Sequence, residues 1–303
     1  MPHFRLLLVA SLLLISCKTT ILSCKTTKPS PDPTPASVPE GVAVPTQEAL
    51  DKARDRAGWN VIHLNGVPTI VRWSDGDSFR FKSGEFDDNG VRLTRFNTLE
   101  SYGPVHRWGD WTPLELFQIA KRSRYVAAEK EWVCTTDGSR DGYNRVLVDC
   151  PDAAEHMVRE GHAHAFTMDT AADPKLLKIQ REAQKKGVGI WEKGVPGRII
   201  TSLHSYAEEY AKERGIAYNR SIEMKSGASV LLEHHEVYDT CQEVCVGPDD
   251  DPVCMIYVPF EIRYRGKPDC LRVPKRKKSG EAAPKEAPAG KAPSEGAAVP
   301  AAD

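Results

Sequence analysis

The chain has 303 residues, enough for one or two domains, and its 40% hydrophobic content suits a folded core. Lys and Arg number 41 against 42 Asp and Glu, a net charge of −1, and residues 61–194 are balanced in the same way. That balance excludes a basic surface that draws nucleic acid from a distance, and it weighs against a tight binding module. It weighs less against an enzyme that grips one or two phosphates locally.

Residues 1–17 have the form of an export signal. Arg5 gives a positive start, Leu6–Ile15 an apolar stretch too short to span a bilayer, and Leu14-Ile15-Ser16-Cys17 a lipobox-like end. Cys17 is the expected lipidation site, so the protein is expected to be exported and lipid-anchored to a membrane of the cell envelope, or else secreted. Ile21-Leu22-Ser23-Cys24 repeats the pattern, but polar Lys18-Thr19-Thr20 separates Cys24 from the apolar stretch. Residues 18–47, rich in Pro, Thr and Ser, predict a disordered tether.

Residues 48–57 predict a short helix. Trp59–Leu64 and Val67–Phe81 predict strands, with Asn65-Gly66 as the turn between them. In the second strand Val71, Trp73, Asp75, Asp77, Phe79 and Phe81 share one face, and Gly76 predicts a bulge. An apolar face that switches to paired carboxylates is expected to leave the core and line a site. Val91–Asn97 predicts the next strand, with Thr98 and Glu100 just beyond. Ser101–Trp111 predicts a loop beside Glu100, either a lid or substrate-contact loop or an aromatic cover over the rim. Thr112-Pro113-Leu114-Glu115 is a capping box that opens a helix to about Lys130.

Glu131–Thr135 and Asn144–Cys150 predict a paired hairpin. Cys134 and Cys150 flank it and are expected to bridge it, a link worth roughly 3 kcal/mol in the chain-entropy description. Pro151 opens a helix ended by Gly161, and Asp173-Pro174 another ended by Gly187. Short strands with interspersed helices predict an α+β fold built on an OB-type, five-stranded β-barrel over residues 48–195.

Gly194-Val195-Pro196-Gly197 predicts a boundary, followed by a small β-rich module at 196–273. Within it, Thr201–Arg214 predicts a helix, and Ser229–Leu232, Val253–Phe260 and Glu261–Tyr264 predict strands. In an exported chain Cys241, Cys245, Cys254 and Cys270 are expected to pair among themselves, with three connectivities open. A zinc site is the competing use of the cysteines, but no paired C-x-x-C spacing supports it. His234-His235 reads as a surface pair on a strand edge. Residues 274–303, rich in Ala, Pro, Lys and Glu, predict a disordered tail.

Four separated motifs, taken in order, resemble the staphylococcal nuclease (thermonuclease) family. They are Asp75-Gly76-Asp77-Ser78, then Arg92 leading to Asn97-Thr98-Leu99-Glu100, then Asp141-Gly142-Tyr143-Asn144-Arg145, then the helix from Leu176 that runs on to Trp191. The resemblance covers Val61 to Lys193. It implies metal-dependent hydrolysis of phosphodiester bonds in DNA or RNA, with Ca2+ as the cofactor.

The same resemblance implies Arg92, Glu100 and Arg145 as the catalytic residues. The arginines can fork onto phosphate oxygens as charge grows, and Glu100 can take a proton from the attacking water. It implies Asp77, the Asn97 side-chain oxygen and the Thr98 carbonyl as calcium ligands, and Tyr143 as a nucleotide contact. Two positions depart from the family pattern: Asn97 stands where the family has an aspartate, and Leu99 where it has a proline. The expected partners are a DNA or RNA substrate and a membrane reached through the lipid, and the protein is expected to be monomeric. The alternative is a non-catalytic nuclease-like domain that binds nucleic acid or a protein.

Overall fold

The computed structural model describes residues 43–168, 170–247, 252–264 and 268–272. Cys17, Cys24, most of the tether and the tail lie outside the described residues. Among the described residues no helix is long and apolar enough to cross a membrane.

Helix α1 (Gln47–Arg54) leads into β1 (Trp59–Leu64) and β2 (Val67–Trp73), joined by Asn65 and Gly66 in the left-handed region. Next come β3 (Ser78–Phe81), β4 (Gly90–Leu93), β5 (Phe96–Thr98), β6 (Val105–Arg107) and α2 (Pro113–Ala127). The Thr112–Glu115 capping box forms in both directions at the start of α2. Two short strands, β7 (Trp132–Cys134) and β8 (Val146–Val148), precede α3 (Pro151–Arg159), β9 (Ala163–Ala165) and α4 (Pro174–Lys186). Gly187, at φ 59°, ends α4.

Six strands form the main sheet in the order β7-β1-β2-β3-β4-β8, one more than expected. Its edges are the two strands expected to form a hairpin, and that expectation is corrected. β7 runs parallel to β1 and β8 parallel to β4, partners far away in sequence that no local pattern reveals. The two edges meet just past their ends, where Thr135 and Asp149 exchange backbone hydrogen bonds of 2.8 and 2.9 Å and Cys134 bonds to Cys150. The sheet thus curls back on itself as an OB-type barrel around Val71, Phe79, Phe81, Leu93, Val146 and Met157.

The expected single strand Val67–Phe81 is a hairpin. Ser74-Asp75-Gly76-Asp77 reverses the chain: the Ser74 and Asp75 N–H groups donate to Ser78 O, and the Asp77 N–H donates to the Asp75 carboxylate. Gly76 serves close approach rather than a bulge. A Cβ there would fall 2.6 Å from Thr98 Cγ2 and 2.8 Å from Ser123, so only bare backbone lets the turn rest between β5 and α2.

The expected strand Val91–Asn97 breaks in two at Arg95. That residue takes φ 73°, and its guanidinium grips both Asp149 oxygens at 2.6 Å. Past the break, β5 leaves the main sheet and pairs with β9.

The remainder forms β10 (Arg198–Ser202), α5 (Glu209–Arg214), β11 (Ala217–Glu223), β12 (Ser229–His234), β13 (Glu243–Val246) and β14 (Val253–Ile256). Strands β10, β11 and β12 make a three-stranded sheet. The expected helix over Thr201–Arg214 shrinks to α5, because the β-branched run Ile199-Ile200-Thr201 belongs to β10. The expected strands over 253–264 end at Ile256, and Pro259 opens a 3₁₀ turn at Phe260–Ile262. The four cysteines pair as Cys241–Cys270 and Cys245–Cys254, which resolves the three open connectivities.

Hairpin β13–β14 extends onto β6, in the order β13-β14-β6. The stretch expected to be a lid or rim cover is therefore built into a sheet. Buried Trp108 and Trp111 pin it further, donating to Gly194 O at 3.2 Å and Ile190 O at 3.0 Å. They belong to a second core with Leu99, Trp191, Ile199 and Tyr257, drawn from both sides of residue 195.

Candidate active site

The site lies where the β2–β3 turn, β4 and β5 converge. Alternation along β4 sends Val91 and Leu93 into the barrel and Arg92 outward, opposite Ser78 of β3. Asp77, 3% exposed, is reached from two sides. Its Oδ1 takes the Arg92 Nη1 at 2.5 Å and the Ser78 hydroxyl at 2.9 Å, and its Oδ2 takes the Thr98 N–H at 2.7 Å. Burial pushes the Asp77 carboxyl up, but Arg92 and the Thr98 N–H outweigh it and hold the group below the usual carboxylate range.

The other Arg92 nitrogen, Nη2, donates to the Asn97 side-chain oxygen, and Asn97 Nδ2 donates to Thr98 O at 2.7 Å. The structure thus brings Asp77, Arg92, Asn97 and Thr98 into direct contact. The Arg92 guanidinium sits on two of the oxygens that the resemblance assigns to a cation.

Glu100 follows Leu99, which is buried in the second core, and is itself half-buried. A deeply set apolar side chain anchors this segment where the family pattern has a proline. Burial, then the neighbouring Asp77, push the Glu100 carboxyl up to about 7, against the pull of Arg92, Arg263 and Arg145. Asp75 is raised well above the usual range by burial, then by Asp77 and Glu100. Sequence reasoning placed Asp75 beside Asp77 on a face expected to line a site but gave it no role of its own.

Arg145 comes from the turn before β8. Asp141 organises that turn, accepting the Tyr143 N–H at 2.9 Å and the Arg145 N–H at 3.0 Å on one oxygen. Its other oxygen takes the Arg145 Nε at 2.8 Å and Nη2 at 2.7 Å. Tyr143 is 68% exposed on the rim, its ring centroid 5.5 Å from the Arg145 guanidinium. It does not touch the Asp77 cluster through any described hydrogen bond.

The donor chemistry fits a hard cation. Asp77, Asn97 Oδ1 and Thr98 O are all oxygen donors, and the Asp75 and Glu100 carboxyls, raised first by burial and then by Asp77, stand near them. A cation there would share Asp77 and Asn97 with Arg92. Elsewhere among the described residues one acid–thiol group is close-set, Glu243 with Cys245 and Cys254. Those two cysteines are bonded to each other and offer no thiolate.

Residues 91–193 match the model of the family described as staphylococcal nuclease homologue. No curated protein matches the chain. The matched stretch starts on β4 and ends just past Trp191, so it holds Arg92, Asn97, Glu100, Tyr143 and Arg145, while Asp75 and Asp77 lie outside it, ahead of β3. Over residues 91–193 the chain is similar to the staphylococcal nuclease homologues.

Proposed function

We propose that the protein hydrolyses phosphodiester bonds of DNA or RNA, at the cell envelope or outside the cell. The observation that carries this reading is Glu100, a carboxyl raised to about 7 beside Asp77, with Arg92 and Arg145 acting on it electrostatically. A base poised near neutrality accepts a proton from water and still exists as carboxylate at working pH. Water attacks phosphorus, Glu100 takes its proton, and the bond from phosphorus to the leaving sugar oxygen breaks, that oxygen taking up a proton from solvent. Arg145, held in place by Asp141 through Nε and Nη2, is assigned to stabilise, through its remaining N–H groups, the charge that gathers on the phosphoryl oxygens. Calcium, when held by Asp77, Asn97 and Thr98, supplies positive charge at the phosphoryl oxygens.

Asn97 sets the strength of that cation site, because an amide contributes an oxygen without charge. Asn97→Asp is expected to tighten calcium binding, read as a larger calcium-induced rise in melting temperature, and to increase cleavage at low calcium. If neither wild type nor Asn97→Asp cleaves single- or double-stranded substrates with calcium, the enzyme reading fails. The non-catalytic reading then takes over. What favours it is that both guanidiniums are already paired, Arg92 with Asp77 and Arg145 with Asp141.

The Leu14-Ile15-Ser16-Cys17 end motivates lipid on Cys17 as the membrane anchor. Mass spectrometry of the membrane fraction is expected to find a lipid-modified N-terminal Cys17; an unmodified soluble N-terminus beginning elsewhere removes the anchor.

A further inference from the structure

Residues outside the matched stretch build onto the Glu100 rim. Arg263 Nε donates to Val258 O at 3.0 Å, and its Nη2 donates to Leu203 O at 3.1 Å and to Glu208 Oε1 at 3.2 Å. Glu208 is buried and fixed in turn by the Tyr257 hydroxyl at 2.8 Å and by His204 Nδ1 at 2.8 Å. The Arg263 stem crosses Gly103, where a Cβ would fall 2.8 Å from Arg263 Cδ. At φ +95° that position suits glycine on both counts. The segment after Pro259 is thereby locked against the chain that follows Glu100.

Locking Arg263 places Tyr264. Its ring lies 5.5 Å from that of Tyr102, and the side chain is 72% exposed. Lys121 Nζ stands 3.8 Å from the Tyr102 centroid, and the Tyr102 hydroxyl reaches Ser74 O, in the turn that carries Asp75 and Asp77. Ser101, Tyr102, Phe117, Lys121, Arg263 and Tyr264 line a cavity of about 270 Å³. Ser101 and Tyr102 directly follow Glu100 in the chain, so the cavity adjoins the site. An exposed aromatic ring backed by a second one, with the Lys121 ammonium 3.8 Å from that second ring, is the surface that unpaired bases use.

We propose that Tyr264, backed by Tyr102, is a stacking subsite for one unpaired base of a single-stranded nucleic acid whose phosphate lies at Glu100 and Arg145. The occupant is single-stranded because a paired base keeps its faces within the duplex stack. The subsite rests on the nuclease reading for the position of the phosphate, and it gives the C-terminal segment a part in choosing the substrate.

Fluorescence anisotropy with a labelled single-stranded oligonucleotide and a duplex of equal length, in chelator, tests the subsite. Tyr264→Ala is expected to weaken single-strand binding about ten-fold, Tyr264→Phe to restore it, and Tyr102→Ala to weaken it in the same direction, with duplex binding changed by less than about two-fold. The exposure of Tyr264 lets its variants fold, which matched melting curves verify. Single-strand binding unchanged by Tyr264→Ala, a loss shared equally by the duplex, or no single-strand binding by wild type overturns the subsite. A nicking assay with calcium on the same proteins separates the two ideas. A wild type that binds strand through Tyr264 but cleaves nothing removes the nuclease and keeps the subsite. A wild type that cleaves while Tyr264→Ala binds normally removes the subsite and keeps the nuclease.

Discussion

Glu100→Gln is expected to lower cleavage by roughly 10²–10⁴-fold, the usual contribution of a positioned base, and also to make the protein more stable at neutral pH. Both effects come from the same placement. The Glu100 carboxyl rises from about 4.5 when unfolded to about 7 when folded, because it is buried and stands beside Asp77. The folded state therefore holds the proton more tightly, and stability falls as pH climbs from about 4.5 to about 7. Glutamine resembles the protonated form, so the variant is spared that loss and its melting temperature gains most above pH 7. The wild-type rate follows the opposite direction, rising as the carboxylate forms and levelling above about 7. Melting curves and rates across this range check both. A rate flat through pH 7, or a variant no more stable than wild type above it, removes Glu100 as the base.

Arg145→Ala is expected to lower turnover by roughly 10²–10³-fold, the usual cost of losing one preorganised donor to a developing oxyanion. Asp141 already fixes the fork through Nε and Nη2, so little ordering is left to the moment of reaction. Arg145→Lys keeps the charge but loses the fork, and should recover only part of the activity. Stability should hardly move, because a partly exposed ion pair contributes about 0–1 kcal/mol. Rates set against denaturation midpoints decide the matter: a variant that loses activity only in proportion to its folded fraction places Arg145 in the scaffold.

Features that depend on neighbours in sequence were legible before the structure. The Asn65-Gly66 turn, the Thr112 capping box and the glycine that ends α4 are each encoded within a few residues, and each forms. The Cys134–Cys150 bond was legible for a partly mistaken reason. The two cysteines do meet, but at the closure of a barrel rather than across a hairpin.

Elsewhere distant partners won over local pattern. In-and-out alternation ran unbroken through Asp75 and Asp77, so it could not show that the chain turns back there; contact with Thr98 and Ser123 decides it. The motifs brought Asp77, Arg92 and Asn97 into one group, but not the direct bonding of Arg92 to both of the others. Arg263 and Tyr264 carried no local signal at all. Their place beside Glu100 follows from a chain of contacts through Glu208 and Gly103 that only the folded molecule assembles.

The seating of β6 between the barrel and hairpin β13–β14 bears on where this protein can be cut. A shorter chain ending near Gly194 would keep every residue of the family match, Arg92 and Arg145 included. It would also strip β14 from β6, leaving an open edge able to recruit strands from other molecules. The same cut would uncover the apolar side chains around Leu99, on which the approach to Glu100 is mounted. The packed unit thus runs beyond the family pattern, and the sequence outside that pattern is part of the scaffold on which the matched residues stand.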